Sequence, residues 1–272
     1  MNFKIRAQGV EKHFPSTPFT ESVHALKEIN MEIQEGEFAA LIGPSGCGKS
    51  TFLYIVAGFE KATAGSVFLG GQKITKPGPD RGIVFQEYVL FPWRNVMENI
   101  NFGLEIQKAK KSEIERRCQE LLEITGLKGF ENAYPHTLSG GMQQRVAIAR
   151  ALAYDPEVML MDEPFGSLDA QTKLRLVDDF VRIWETHRKT VLFVTHSVEE
   201  ALLLADKVYL FSSRPSVIKS VLTVDLPRPR DIADPRFVQL QTQTLKSLGE
   251  EVEKMMKYER PLPNGHAGLA GS

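Results

Sequence analysis

At 272 residues, 42% hydrophobic and 25% charged, the chain has the composition of an ordinary globular protein, which excludes a disordered one. The length suits one α/β domain with an appendage, and a formal charge of −1 gives no bulk electrostatic ground for binding nucleic acid. The longest apolar runs fall far short of a membrane span, no charged leader with an apolar core marks a secretory signal, and two cysteines, Cys47 and Cys118, at no disulfide or zinc spacing fit a reducing cytoplasm.

Polar and apolar residues alternate over 3–10 and 23–33, which predicts two strands. Gly36 marks a turn, and 38–42 then reads as a short strand buried on both faces, of the kind parallel sheets require. A glycine-rich stretch follows, then a helix over 49–59 and strands over 66–69 and 82–85. The middle changes character. Ile114, Cys118, Leu121, Leu122 and Thr125 fall at helical spacing, and roughly 88–152 reads as a mostly helical insertion. Strand signals return at 158–161, 191–195 and 207–211, with helices expected over 172–186 and 198–205; such alternation implies a mainly parallel sheet. Leu226-Pro227-Arg228-Pro229-Arg230 cannot be regular helix. Asp234-Pro235 is a helix start, and Phe237, Leu240, Thr244, Leu245, Leu248, Val252 and Met255 form an apolar stripe after it. That stripe either docks on the main domain or is offered to a partner. The last dozen residues, rich in Gly and Pro, are expected to be flexible.

Gly43-Pro44-Ser45-Gly46-Cys47-Gly48-Lys49-Ser50-Thr51 contains the full P-loop pattern G-x-x-x-x-G-K-[ST], with a buried strand leading in and a helix leading out. Glycines let consecutive N–H groups curl around a phosphate without Cβ clashes, and the helix directs its positive end at the same anion. Lys49 supplies a point charge for the β- and γ-phosphates, and the Ser50 hydroxyl is suited to ligate Mg²⁺. Cys47, near that helix start, is expected to be a reactive thiol of lowered pKa whose alkylation Mg-ATP blocks. The loop alone says only "nucleoside triphosphate".

The apolar run 158–161 ends in Asp162-Glu163. In P-loop enzymes such a strand end carries the acidic residue that holds Mg²⁺, here Asp162. Glu163 points elsewhere and is free to orient or deprotonate a water in line with the γ-phosphate. Acidic residues also end strands merely by capping the next turn. Leu138-Ser139-Gly140-Gly141-Met142-Gln143 precedes the helical stretch 144–153 and is a second anion-binding arrangement, or else an ordinary capped helix.

That second pattern resembles the signature motif of the ABC ATPases, and the resemblance then covers almost the whole chain, from Val10-Glu11-Lys12-His13-Phe14 to Thr195-His196-Ser197-Val198-Glu199-Glu200-Ala201. Gln86 matches the family's Q-loop glutamine, Ser167-Leu168-Asp169 its D-loop and His196 its switch histidine. Met142 departs from the pattern, standing where glutamine is usual. The resemblance implies an α/β fold: a P-loop core with a mainly parallel sheet, an N-terminal antiparallel β part and an inserted helical subdomain. It implies an ATPase domain over 1–225, a helical extension over 226–258 and a flexible tail over 259–272. It implies a head-to-tail dimer in which ATP on the 43–51 loop of one copy is closed over by Ser139, Gly140 and Gly141 of the other. Gln86 would reach metal and attacking water, His196 would hold the γ-phosphate and Asp169 would communicate across the dimer. Phe14 matches the aromatic that stacks on adenine, with a core aromatic at a strand end as the alternative.

With no apolar span long enough for a channel, the resemblance implies separate transmembrane permease subunits, an extracytoplasmic substrate-binding protein and a place at the cytoplasmic face of the membrane. Phe91-Pro92-Trp93 and the segments 163–172 and 226–230 are most similar to importers of nitrate, sulfonates and taurine. Phe91, Trp93 and Met97 are expected to line the groove where such a subunit docks a permease helix, or to be core of the helical arm. The alternative is the ATPase of an exporter or lipoprotein-release system. A soluble kinase does not account for the second glycine turn, and a nucleic-acid-associated ABC ATPase would show a heptad run or tandem duplication.

Overall fold

The computed structural model describes residues 3–259; the flexible tail expected over 259–272 lies, from 260 onward, outside the described residues. Two sheets organise the chain. Strands β1 (Phe3–Phe14), β2 (Val23–Gln34), β4 (Ala64–Leu69) and β5 (Gln72–Lys73) form an antiparallel sheet in the order β2-β1-β4-β5. The second sheet has the order β10-β9-β3-β8-β7-β6, from β3 (Phe38–Ile42), β6 (Arg81–Val84), β7 (Val158–Asp162), β8 (Thr190–Val194), β9 (Lys207–Phe211) and β10 (Ile218–Thr223). It is parallel except at its edge, where β10 runs antiparallel to β9.

Every residue of β3, β7 and β8 is buried, because both faces of this sheet are covered. Alternate residues feed different cores. Ala39, Leu41, Leu160 and Val194 pack with Ile5, Val10 and Ile29 of the antiparallel sheet and with Phe52 and Val56 of α1 (Lys49–Ala57). Phe38, Ala40, Met161 and Phe193 pack on the other side against helices. There α4 (Gly140–Ala153), α5 (Ala170–His187) and α6 (Val198–Leu204) cover the sheet, and α2 (Val96–Ile106) and α3 (Lys111–Ile124) stack on α4. The chain between β6 and β7 is thus helical, and α2 opens on a capping box between Asn95 and Glu98.

The tail is anchored twice. Arg230 donates to the carbonyl oxygens of Leu202, Ala205, Val224 and Leu226, and Arg228 to Leu204 O while pairing with Asp206 and lying over the Trp184 ring. The carbonyls of Leu202, Leu204 and Ala205 are ones left open at the C-terminal end of α6, so the irregular Pro-Arg segment caps that helix from across two intervening strands. Helix α7 (Pro235–Glu259) then docks: Phe237, Thr244 and Glu251 are buried, and Leu240 and Leu248 pack on the core, while Leu245 faces solvent. The docking alternative is the one observed.

Candidate functional site

The phosphate loop sits where the topology places ligands in open α/β sheets, beyond the carboxyl ends of parallel strands. β3 delivers Gly43, its neighbour β8 delivers Thr195 and His196, and β7, next to β8, delivers Asp162 and Glu163. β6, on the far side of β7, leads to Gln86. Residues far apart in sequence thus meet along one edge.

Glycine is required in the loop for two different reasons. Gly46 and Gly48 have φ of 74° and 116°, a region open chiefly to glycine. A Cβ on Gly43 would stand 2.8 Å from Phe211 O, and one on Gly48 2.9 Å from Leu26 Cδ2, so the strands behind press directly on the loop. Gly43 and Pro44 are buried, Ser45 and Gly46 exposed, and Gly48, Ser50 and Thr51 half-buried. Lys49 is buried, and its Nζ donates to the carbonyls of Gly43 and Pro44 at 2.9 and 3.0 Å.

Cys47 corrects an expectation. It is fully buried, and desolvation raises its thiol above the usual value against the opposing pull of Lys49. The helix start does not make it a reactive thiolate. Its backbone N–H donates to Pro44 O at 3.3 Å within the loop.

Ser50 Oγ donates to Asp162 Oδ1 at 2.8 Å, and Tyr54 Oη to Asp162 Oδ2 at 2.8 Å. Burial raises the Asp162 carboxyl above its ordinary value, and Glu163 adds to this, while Tyr54 and Ser50 pull it down. Tyr54, half-buried beside that carboxylate, is pushed up to about 12 by desolvation and by its hydrogen bond to Asp162. Sequence reasoning missed Tyr54, although it lies four residues after Ser50 on the same helical face. A seryl hydroxyl and a carboxylate oxygen in contact are hard donors of the kind Mg²⁺ takes, so the residues fit that ion.

Glu163 adopts φ of 45°, a left-handed conformation that costs a non-glycine residue about 1 kcal/mol or more. Its N–H donates to Val194 O at 2.9 Å, and its Oε2 lies 3.0 Å from His196 Nδ1. The sequence assigns these two residues separate roles; the structure joins them. Gln86 is exposed just past β6 and makes no hydrogen bond among the described residues. Phe14 ends β1, is 36% exposed and has Lys12 Nζ 4.7 Å from its ring centroid. It is not a core aromatic.

The second glycine turn lies elsewhere. Ser139 is exposed and caps α4, accepting from Met142 N. A Cβ on Gly140 would meet Tyr88 Oη at 2.8 Å, and one on Gly141 would meet Thr172 Cγ2 at 2.8 Å. Among the described residues no hydrogen bond joins this turn to the phosphate loop. Asp169 caps α5 in the same way, and the hydrogen bonds from Thr172 hold its carboxyl below the usual range.

Two further surfaces border the site. Helix α7 reaches the phosphate loop: Met255 Cε and Arg214 Nη2 both lie 3.7 Å from the Cβ position of Gly46. Nothing in the sequence pattern signalled this. Beyond Gln86, Phe85, Phe91, Phe102, Ile106, Arg150 and Tyr154 line an apolar groove of about 380 Å³. Phe91 is in that lining; Trp93 is exposed beside it, and Met97 packs into the helical core instead.

Comparison with known proteins agrees with the geometry. Residues 26–166 match the family model described as ABC transporter. The nitrate import ATP-binding protein NrtD of Synechocystis sp. is 51% identical over 206 residues, 76% of this chain and 77% of that protein. The aliphatic sulfonates import ATP-binding protein SsuB of Bacillus cereus is 42% identical over 89% of this chain and 94% of its own length. Among solved structures, a dimeric post-hydrolysis state of an ATP-binding cassette bound to ADP and Pi superposes with a TM-score of 0.71 at 32% identity, over 82% of this chain and all of that one.

Proposed function

The chain belongs to the ABC transporter family as its ATP-binding, ATP-hydrolysing subunit, and from that premise we propose that it works as a head-to-tail pair energising an importer of a small anion. The observation carrying this reading is the meeting of Ser50, Asp162, Glu163 and His196 at the ends of neighbouring strands, with the Ser139 turn held apart from them. Half of a hydrolytic site is built in one copy. The other half faces outward.

In this reading the 43–51 backbone and Lys49 bind the phosphates, Lys49 exchanging its bonds to Gly43 and Pro44 for phosphate oxygens. Ser50 and Asp162, with Gln86, would hold a magnesium ion, which would supply positive charge against those oxygens. Glu163 takes the proton of the attacking water, and His196 fixes its carboxylate at 3.0 Å. Phe14 stacks on adenine. Ser139, Gly140 and Gly141 of the second copy close over the nucleotide, with Asp169 at the boundary between copies.

The dimeric cassette among the structural neighbours supports pairing. The apolar groove beyond Gln86 supports docking of a helix from a separate permease, so that the glutamine couples nucleotide to channel. No helix among the described residues is long and apolar enough to cross a membrane, consistent with a subunit held at the cytoplasmic face by that permease. Relatives named for nitrate and sulfonate import support those anions, or taurine, as cargo delivered by an extracytoplasmic binding protein.

The test is Glu163→Gln, followed by sedimentation with and without Mg-ATP. Stable pairs should form with nucleotide and dissociate when it is removed. A variant that stays monomeric at saturating Mg-ATP contradicts the reading. Stimulation of the membrane-purified complex by nitrate, sulfonate or taurine then distinguishes the cargo.

A further inference from the structure

Away from the phosphate loop, at the end of the β1–β2 ribbon closed by the 15–22 connection, three donor groups converge. His13 and His24 face each other across the ladder, and Glu11 lies two residues before His13 on β1. The register slips here: Lys12 pairs with Leu26 and His13 with His24, which leaves Ala25 as an extra residue on β2. A bulge of this kind re-aims the side chains beside it. The imidazoles stack with centroids 3.6 Å apart and planes 21° from parallel. Glu11 Oε2 lies 3.6 Å from His13 Nε2 and 4.0 Å from His24 Nε2, and one ligand atom from each residue falls within 4.8 Å of both others.

We propose that Glu11, His13 and His24 form a binding site for a divalent transition cation of the zinc type. Four observations converge on it. Two imidazole nitrogens and one carboxylate oxygen are a known three-ligand set for zinc, which leaves a fourth position for water. Around a tetrahedral ion with bonds of 2.0–2.1 Å, ligand atoms stand about 3.3 Å apart, so the 3.6 and 4.0 Å separations from Glu11 Oε2 need to close by about 0.3 and 0.7 Å, with the stacked rings turning so that their nitrogens converge on the ion. His13 is exposed, with the freedom to make that adjustment. Finally, His24 Nε2 is enclosed and makes no hydrogen bond among the described residues, while pointing toward Glu11. A buried ring nitrogen without a partner is costly, and a cation supplies one.

The nitrogen donors exclude Mg²⁺ as the natural occupant, since that ion takes oxygen ligands, and the site is distinct from the Ser50–Asp162 pair. Its position also matters. His13 precedes Phe14, and Leu26, two residues past His24, packs on Gly48. A cation here ties β1 to β2, the strand whose Leu26 backs the phosphate loop.

The test is titration of the full chain with zinc chloride against a competing chromophoric chelator, paired with thermal melts. The wild-type chain should take up one tightly held Zn²⁺. His13→Ala, His24→Ala and Glu11→Gln should each weaken that uptake about tenfold or more, whereas His136→Ala should leave it unchanged. Zinc should raise the melting temperature of the wild-type chain and of His136→Ala but not of the three site variants, whose metal-free melts report that they fold. A wild-type chain with no uptake in the micromolar range overturns the proposal. So does uptake that survives the combined loss of His13 and His24.

Discussion

The chain carries two glycine turns, each leading into a helix, and they are built to opposite ends. The 43–51 loop is enclosed by its own fold: Leu26 and Phe211 press on it from behind, and Lys49 and Ser50 stand beside Asp162. The Ser139 turn is also tightly seated, against Tyr88 and Thr172, but its serine is exposed and spends its hydroxyl on its own helix. A glycine turn before a helix therefore says where an anion can bind, not whether the chain completes the site. Completion is read from what surrounds the turn.

The largest effect expected from breaking this contrast is at Glu163. Glu163→Gln keeps the shape and removes the base, so hydrolysis measured by phosphate release should fall about a hundredfold or more. Nucleotide affinity should stay near the wild-type value. Lys49→Ala acts one step earlier. It removes a buried charge partner of the phosphates, so a single copy should bind nucleotide tens of times more weakly in equilibrium titration. Ser139→Ala should leave that single-copy affinity unchanged and lose only its cap, about 1 kcal/mol of stability. Equal losses of binding in the two variants would erase the difference between the turns.

Gly140→Ala sharpens the comparison from the packing side. Its Cβ would stand 2.8 Å from Tyr88 Oη, the far end of a half-buried side chain that can turn aside, so denaturant unfolding should show a change of no more than about 1 kcal/mol. A loss of several kcal/mol would mean that packing against Tyr88, and not space for an anion, requires the glycine. The smallest effect concerns α7, which borders the exposed side of the phosphate loop. Burial disfavours the Glu251 carboxylate, but hydrogen bonds from Lys254, Lys219 and Ser213 outweigh it and bring it down to about 2. A carboxyl with a lowered folded pKa stabilises above its unfolded value near 4.3 and loses that contribution as pH falls toward 2. Glu251→Gln should therefore lower the melting temperature at neutral pH by a few degrees, with the gap to wild type closing as the medium is acidified.

Much of this was legible in the sequence, and the reasons are physical. Parallel strands buried on both faces read as unbroken apolar runs, so β3, β7 and β8 stand out, and the P-loop residues are contiguous because one turn must wrap one phosphate. β10 gave no such signal, since its edge position leaves none of its residues buried and half of them polar. Tyr54 was hidden because its partner Asp162 is 108 positions away. Cys47 misled for the opposite reason: a helix start argues for a low thiol pKa, and only the fold shows the burial that outweighs it. Likewise Glu163 and His196, 33 positions apart, become a pair only when β7 and β8 lie side by side.

The central claim, that each working site is shared between copies, is tested most directly by mixing two inactive variants. Lys49→Ala supplies an intact Ser139 turn, and Ser139→Arg supplies an intact phosphate loop. In a head-to-tail pair the mixed dimer holds one complete site, and about half of the dimers in an equal mixture are mixed. Phosphate release should then recover to about a quarter of the wild-type rate per chain. Release no higher than the average of the two variants alone would contradict the shared site.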